Sequence, residues 1–191
     1  MIAIPSSIFE IAPSELPPVH GVIVGVGIGK TESAVQIIAG HCLHSTVALA
    51  VVYAVPTHKL GDELVRRFTK AGLTTGVWRG RLADDPVKSG SKMCLKPEAM
   101  KRAISKGMPI QQTMCRYKDD YNYVTCEHFP YCPYQSQAAQ LCNKQVVVIP
   151  HDSLFYEMPD IGTRNMLVID EAFWATGLRG VWCLRKKNIC C

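Results

Sequence analysis

The stretch Val24-Gly25-Val26-Gly27-Ile28-Gly29-Lys30-Thr31 constrains this chain more than any other. It follows the apolar run Gly21-Val22-Ile23-Val24 and precedes a helix-compatible segment, Glu32 to Ala39. Strand, glycine loop, Lys-Thr and helix, in that order, are what a phosphate-binding loop requires. Glycines let backbone N–H groups turn inward and approach phosphate oxygens closely, and the helix start adds the positive end of its dipole. Lys30 would reach the β- and γ-phosphates, and the Thr31 hydroxyl would hold Mg²⁺. The nucleotide-binding set is therefore Gly25, Val26, Gly27, Ile28, Gly29, Lys30, Thr31 and Glu32. The strict pattern has glycine where this chain has Val24.

Such a loop needs a partner, an apolar strand ending in carboxylates. Met166-Leu167-Val168-Ile169-Asp170-Glu171 supplies it. A strand buried on both faces reads as a continuous apolar run, and chemistry sits just past its carboxyl end. Asp170 would bind Mg²⁺ together with Thr31. Glu171 would orient or deprotonate the water attacking the γ-phosphate. Lys30, Asp170 and Glu171 are thus the expected catalytic groups.

The rest of the chain reads as alternating strands and helices. Strands are expected at His20 to Gly25, Thr46 to Pro56, Thr74 to Trp78, Gln145 to Ile149 and Met166 to Ile169. Helices are expected from Lys30 to about Cys42 and after Thr57, a plausible N-cap, with Leu60, Leu64, Val65 and Phe68 on one face. This alternation predicts an α/β fold with a parallel sheet. From Ser89 to Asn143 the composition shifts from aliphatics to cysteine, lysine, tyrosine and proline, the mark of an insertion. Residues 1–19 read as an irregular lead-in, 20–88 and 144–178 as the two parts of the α/β domain, 89–143 as the insertion, and 179–191 as a tail.

The insertion holds Cys94, Cys115, Cys126 and Cys132. Four thiolates can ligate a [4Fe–4S] cluster or a tetrahedral Zn²⁺. The absence of any Cys-x-x-Cys pair there leans toward iron–sulfur, with Cys142 and His128 as substitute ligands. Nine cysteines in a chain whose first residues lack a basic region argue against a disulfide framework and for a cytoplasmic location. No apolar run is long enough to span a bilayer, so no membrane partner is expected. The net charge of +5 is compatible with nucleic acid. Tyr117, Tyr121, Tyr123, Phe129, Tyr131 and Tyr134 offer stacking faces for bases or packing around a metal site.

Taken together, these pieces resemble the first motor domain of a superfamily 2 DNA helicase. Tyr53-Ala-Val-Pro-Thr-His-Lys-Leu60 resembles that superfamily's second motif, which implies DNA-backbone contacts at Pro56, Thr57 and His58. Asp170-Glu171-Ala172-Phe173 resembles the Asp-Glu-Ala-His box, with Phe173 in place of His. A cysteine cluster between the loop and this box is similar to the iron–sulfur helicases of XPD/DinG type. Trp78-Arg-Gly-Arg81, Met93-Cys94 and Cys126 through Cys132-Pro-Tyr-Gln135 are similar to helicase-like proteins of phages and mobile elements, some coupled to primases. The resemblance implies a RecA-like, P-loop NTPase sheet, ATP and Mg²⁺ as cofactors, and single-stranded or forked DNA as partner, with Arg79 and Arg81 on the nucleic-acid path. It also implies a second motor domain. Residues 174–191 are too few to build one, so the chain is expected to bind ATP, to hydrolyse it slowly alone, and to need a motor or primase partner. The competing expectations are a non-enzymatic nucleic-acid-binding remnant and an unrelated P-loop ATPase with a zinc module.

Overall fold

The computed structural model describes residues 18–21, 29–46, 48–119, 122–156 and 161–171. The chain divides into two compact units, residues 1–30 and residues 31–191. The expected strand at His20–Gly25, the loop residues Gly25, Val26, Gly27 and Ile28, Tyr121, Phe173 and the tail at 179–191 lie wholly or largely outside the described residues.

The second unit is built on four parallel strands, β1 (Val51–Val55), β2 (Thr75–Val77), β5 (Val146–Pro150) and β6 (Met166–Ile169), in the order β2-β5-β1-β6. The mixed α/β class and the parallel sheet are as the apolar runs predict. The strand expected over Thr46 to Pro56 is confined to Val51–Val55. Residues in β1 and β5 are almost wholly buried because helices cover both sheet faces.

Alternation along each strand divides the core in two. Val51, Tyr53, Val55, Val146 and Val148 point to one face, where α1 (Lys30–His44) contributes Val35 and Ile38. On the same face, α2 (His58–Lys70) contributes Leu64 and Phe68. Val52, Ala54, Val147 and Ile149 point to the other, against Trp78, Met93, Tyr134 and Leu141. Thr57 caps α2 as expected: its backbone is extended (φ −139°, ψ 152°), and Oγ1 accepts from Leu60 N–H at 3.3 Å.

The cysteine-rich segment packs into the same unit as the sheet. It contains α3 (Pro97–Ser105), a hairpin of β3 (Arg116–Asp119) and β4 (Asn122–Thr125), and α4 (Pro133–Leu141). Both helices begin with proline, whose fixed φ and missing N–H suit a first turn. Helix α4 covers the second sheet face closely: a Cβ on Gly76 of β2 would lie 2.3 Å from Leu141 Cδ2. The far end of α4 is held by Arg164, whose Nη2 donates to the Leu141 carbonyl at 2.8 Å and to the Cys142 carbonyl at 3.3 Å. A cation there also meets the negative end of the helix dipole.

Candidate functional site

In a parallel sheet all carboxyl ends share one edge. That edge gathers Pro56, Thr57 and His58 after β1, Arg79 after β2, His151 after β5, and Asp170 and Glu171 after β6. The Asp170 N–H donates to the Ala54 carbonyl at 3.0 Å, extending the β1–β6 ladder by one residue. This bond fixes where the Asp170 carboxylate leaves the sheet, on the face that α1 covers. There Thr31 Oγ1, in the first turn of α1, donates to Asp170 Oδ2 at 3.2 Å. The two residues are 139 positions apart in sequence. The hydroxyl and carboxylate nominated for one Mg²⁺ therefore meet.

Tyr53 adds a third group that the sequence reading did not nominate. It lies on β1 opposite Val168, one ladder step short of Asp170, and its hydroxyl donates to Asp170 Oδ2 at 3.3 Å. Its ring is 1% exposed and packs edge-to-face on Phe68 at 5.8 Å. Burial, and then the neighbouring Asp170 charge, push its hydroxyl well above the usual phenol range, so it remains a donor. The available signal was a phenol inside an aliphatic strand: a buried Tyr hydroxyl needs a partner. Glu171 has a left-handed backbone, φ 63°, which is uncommon for a residue with a side chain and turns the chain sharply at the strand end. Its side chain is exposed.

Gly29, immediately before α1, has φ +79° with open space around its Cα, a backbone conformation that glycine adopts without strain. Lys30 opens α1. Glu32 faces α2, accepting from Gln36 Nε2 at 2.9 Å and pairing with Arg67 at 3.5 Å.

The two arginines nominated for nucleic acid are engaged with protein groups. Arg79 pairs with Asp62, and its backbone N–H and carbonyl are both bonded by the buried Gln137 amide. Arg81 lies 3.9 Å over the Tyr134 ring, donates to Gln111 Oε1 at 2.6 Å and reaches Cys115 Sγ at 3.9 Å. His58 is half-buried; burial, then the Arg79 charge, lower its pKa, with Asp62 and Asp152 opposing.

The four nominated cysteines line one small cavity, chiefly apolar and shared with Met100, Met114 and Phe129. Their sequence spacing is irregular, but the fold brings them in as two pairs. Cys115 and Cys126 flank the β3–β4 hairpin, and Cys126 N–H donates to the Cys115 carbonyl at 2.9 Å, closing its base. Cys132, at the start of α4, is tied to the neighbour of Cys94: its thiol lies 3.7 Å from the Met93 carbonyl, which also accepts from Tyr134 N–H at 3.1 Å. All four are free thiols, and burial raises the pKa of Cys94. Cys142 and His128 separate here. His128 lines the cavity, whereas Cys142 is not among its lining residues, and its thiol contacts the Ala139 carbonyl at the end of α4. Among the described residues, no three His, Cys, Asp or Glu side chains are grouped closely enough to hold a metal ion. Nor is any helix among them long and apolar enough to cross a membrane.

No protein-family model matches the sequence, and neither does any curated protein or solved structure.

Proposed function

We propose that this chain is the ATP-binding half of a nucleic-acid motor of helicase type, with a RecA-like sheet and a cysteine-ligated [4Fe–4S] cluster in its insertion. The contact between Thr31 and Asp170 carries the reading. A hydroxyl in the first turn of a helix that follows a glycine loop, bonded to a carboxylate at a parallel strand's end, is the donor pair that Mg²⁺ of a bound triphosphate requires. Tyr53 donates to the same Asp170 oxygen as Thr31 and so holds the carboxylate in place. Glu171, next along the chain, would polarise a water. Bound Mg²⁺ supplies charge neutralisation at the phosphates; the protein's share is to fix these oxygens before the nucleotide arrives.

The cysteine cavity supports the cluster over a single zinc. Thiolates on one tetrahedral Zn²⁺, at bond lengths of about 2.3 Å, stand roughly 3.8 Å apart. Four thiols that ring a cavity without closing on one ion fit a larger group. Cys94, Cys115, Cys126 and Cys132 would hold it, and Arg81 beside Cys115 would offset its negative charge. A structural cluster supplies rigidity to a segment poor in aliphatic residues.

A motor sheet of this kind without an arginine finger, which is worth about 10³–10⁵ in rate, binds Mg-ATP but turns it over slowly. The test is equilibrium binding of a fluorescent ATP analogue with and without Mg²⁺, alongside iron, sulfide and zinc analysis. Mg²⁺-dependent binding with about four irons and four sulfides per chain is the expected result. Absence of nucleotide binding defeats the motor reading, and stoichiometric zinc defeats the cluster.

A further inference from the structure

The β3–β4 hairpin stands at the cysteine cavity and takes part in neither site's chemistry. Its antiparallel register pairs Arg116 with Thr125 and Lys118 with Tyr123. Directly opposed residues share a face, and so do alternate residues along a strand. Arg116, Lys118, Tyr123 and Thr125 therefore form one face, and all four are exposed. The other face carries Tyr117, which is also exposed, opposite the half-buried Val124.

The outer face has one aromatic ring, Tyr123, 66% exposed, between two cations. The Arg116 guanidinium carbon lies 4.7 Å from the ring centroid, and Lys118 is directly across the strand pair. Among the described residues, neither cation forms an ion pair with a carboxylate. Two other aromatics of the segment differ. Tyr134 is buried beneath Arg81, and Tyr131 contacts His128 Nδ1 at 2.8 Å.

We propose that this face binds single-stranded nucleic acid, with Tyr123 as the platform on which an unpaired base stacks and with Arg116 and Lys118 on the flanking phosphates. The choice of ligand rests on the motor reading above. Charge and shape supply the rest: a flat exposed ring beside two exposed cations complements a polyanion whose bases are open to stacking. In a duplex the base faces are already stacked on one another, so the platform discriminates for single strands.

The test uses the full chain and fluorescence anisotropy of a labelled oligothymidylate. Tyr123→Ala should weaken binding by about 5- to 100-fold, the range for loss of one base–aromatic stack. Tyr123→Phe should bind within about twofold of wild type. Lys118→Gln should lower the slope of log K against log salt by about 0.7, the value for one phosphate contact on a single strand. Tyr156→Ala, another exposed tyrosine outside the hairpin, serves as control. The proposal is overturned if wild type does not bind, if Tyr123→Ala binds as wild type, if Tyr156→Ala loses as much, or if a duplex of equal length binds with the same dependence on Tyr123. Nucleotide binding is measured on the same samples. Intact Mg-ATP binding with oligothymidylate affinity indifferent to Tyr123 sinks the hairpin alone; absent Mg-ATP binding with Tyr123-dependent oligothymidylate binding sinks the motor reading alone.

Discussion

The Thr31–Tyr53–Asp170 corner and the cysteine cavity are assembled by different means. The corner is set by backbone. Asp170 is placed by a ladder bond to β1, Tyr53 by its register on the same strand, and both rest on a core of Val35, Leu64 and Phe68. Its oxygens already lie within hydrogen-bond reach of one another. The cavity is set by a two-stranded hairpin, single turns and helix starts, elements with little apolar area of their own. Its thiols converge on one space without closing on an ion. A site built on a sheet is organised before its ligand binds. A site built on loops relies on its ligand for organisation.

The largest expected effect follows from that contrast. Cys126→Ser should reduce bound iron to near zero and remove hydrogen-exchange protection across residues 94–132, while β1 and β5 keep theirs. Equal loss in both regions would break the comparison. Next comes Gly76→Ala, at the place where the two regions touch. The new methyl would meet the Leu141 Cδ2 methyl, so the Leu141 side chain must turn aside within the core, at a cost of about 1–3 kcal/mol for overpacking. Thermal denaturation would read this as a fall of several degrees, and an unchanged midpoint would mean that the Leu141 side chain finds another place without cost.

A smaller effect is expected from Tyr53→Phe, which removes one hydrogen bond to Asp170 and leaves the ring packing on Phe68. Such a bond contributes about 1 kcal/mol, so affinity for the Mg-bound ATP analogue should fall about fivefold with little change in melting temperature. The smallest effect is electrostatic. His58 has a folded pKa below its unfolded value, so the unfolded chain takes up the proton first. Its contribution to stability is present above the unfolded pKa near 6.5 and declines as pH falls from there through the folded value. Replacing His58 with Gln should flatten that part of the stability–pH curve, as followed by urea denaturation.

Much of this was legible in residue order. The apolar runs at Val51–Val55 and Val146–Pro150 are buried strands because nothing polar interrupts them; Met166–Ile169 is a strand too, but with Met166 and Leu167 exposed; and Thr57 announces a helix because its hydroxyl accepts the N–H of Leu60. The motifs pair Thr31 with Asp170, and the two side chains are in contact. Four cysteines were nominated as one set and do line one cavity. What escaped was whatever depends on register and packing. Tyr53 as an Asp170 partner follows from which strands are neighbours, which linear spacing does not encode. Helix α4 was missed because its composition resembles the surrounding insertion; packing on Gly76 and capping by Arg164, both distant in sequence, hold it in place. Arg79 and Arg81 are expected on a nucleic-acid path, yet Asp62 and Tyr134 engage them from elsewhere in the chain.

The proposed motor requires Thr31 and Asp170 to hold one Mg²⁺ on a triphosphate. Titration of the full chain with a fluorescent ATP analogue at increasing Mg²⁺, repeated with Thr31→Ala and with Asp170→Asn, tests it most directly. Wild type should saturate in a Mg²⁺-dependent way, and each variant should lose the Mg²⁺-dependent part while its folded circular dichroism spectrum persists. Binding that is indifferent to Mg²⁺, or equal in all three proteins, would contradict it.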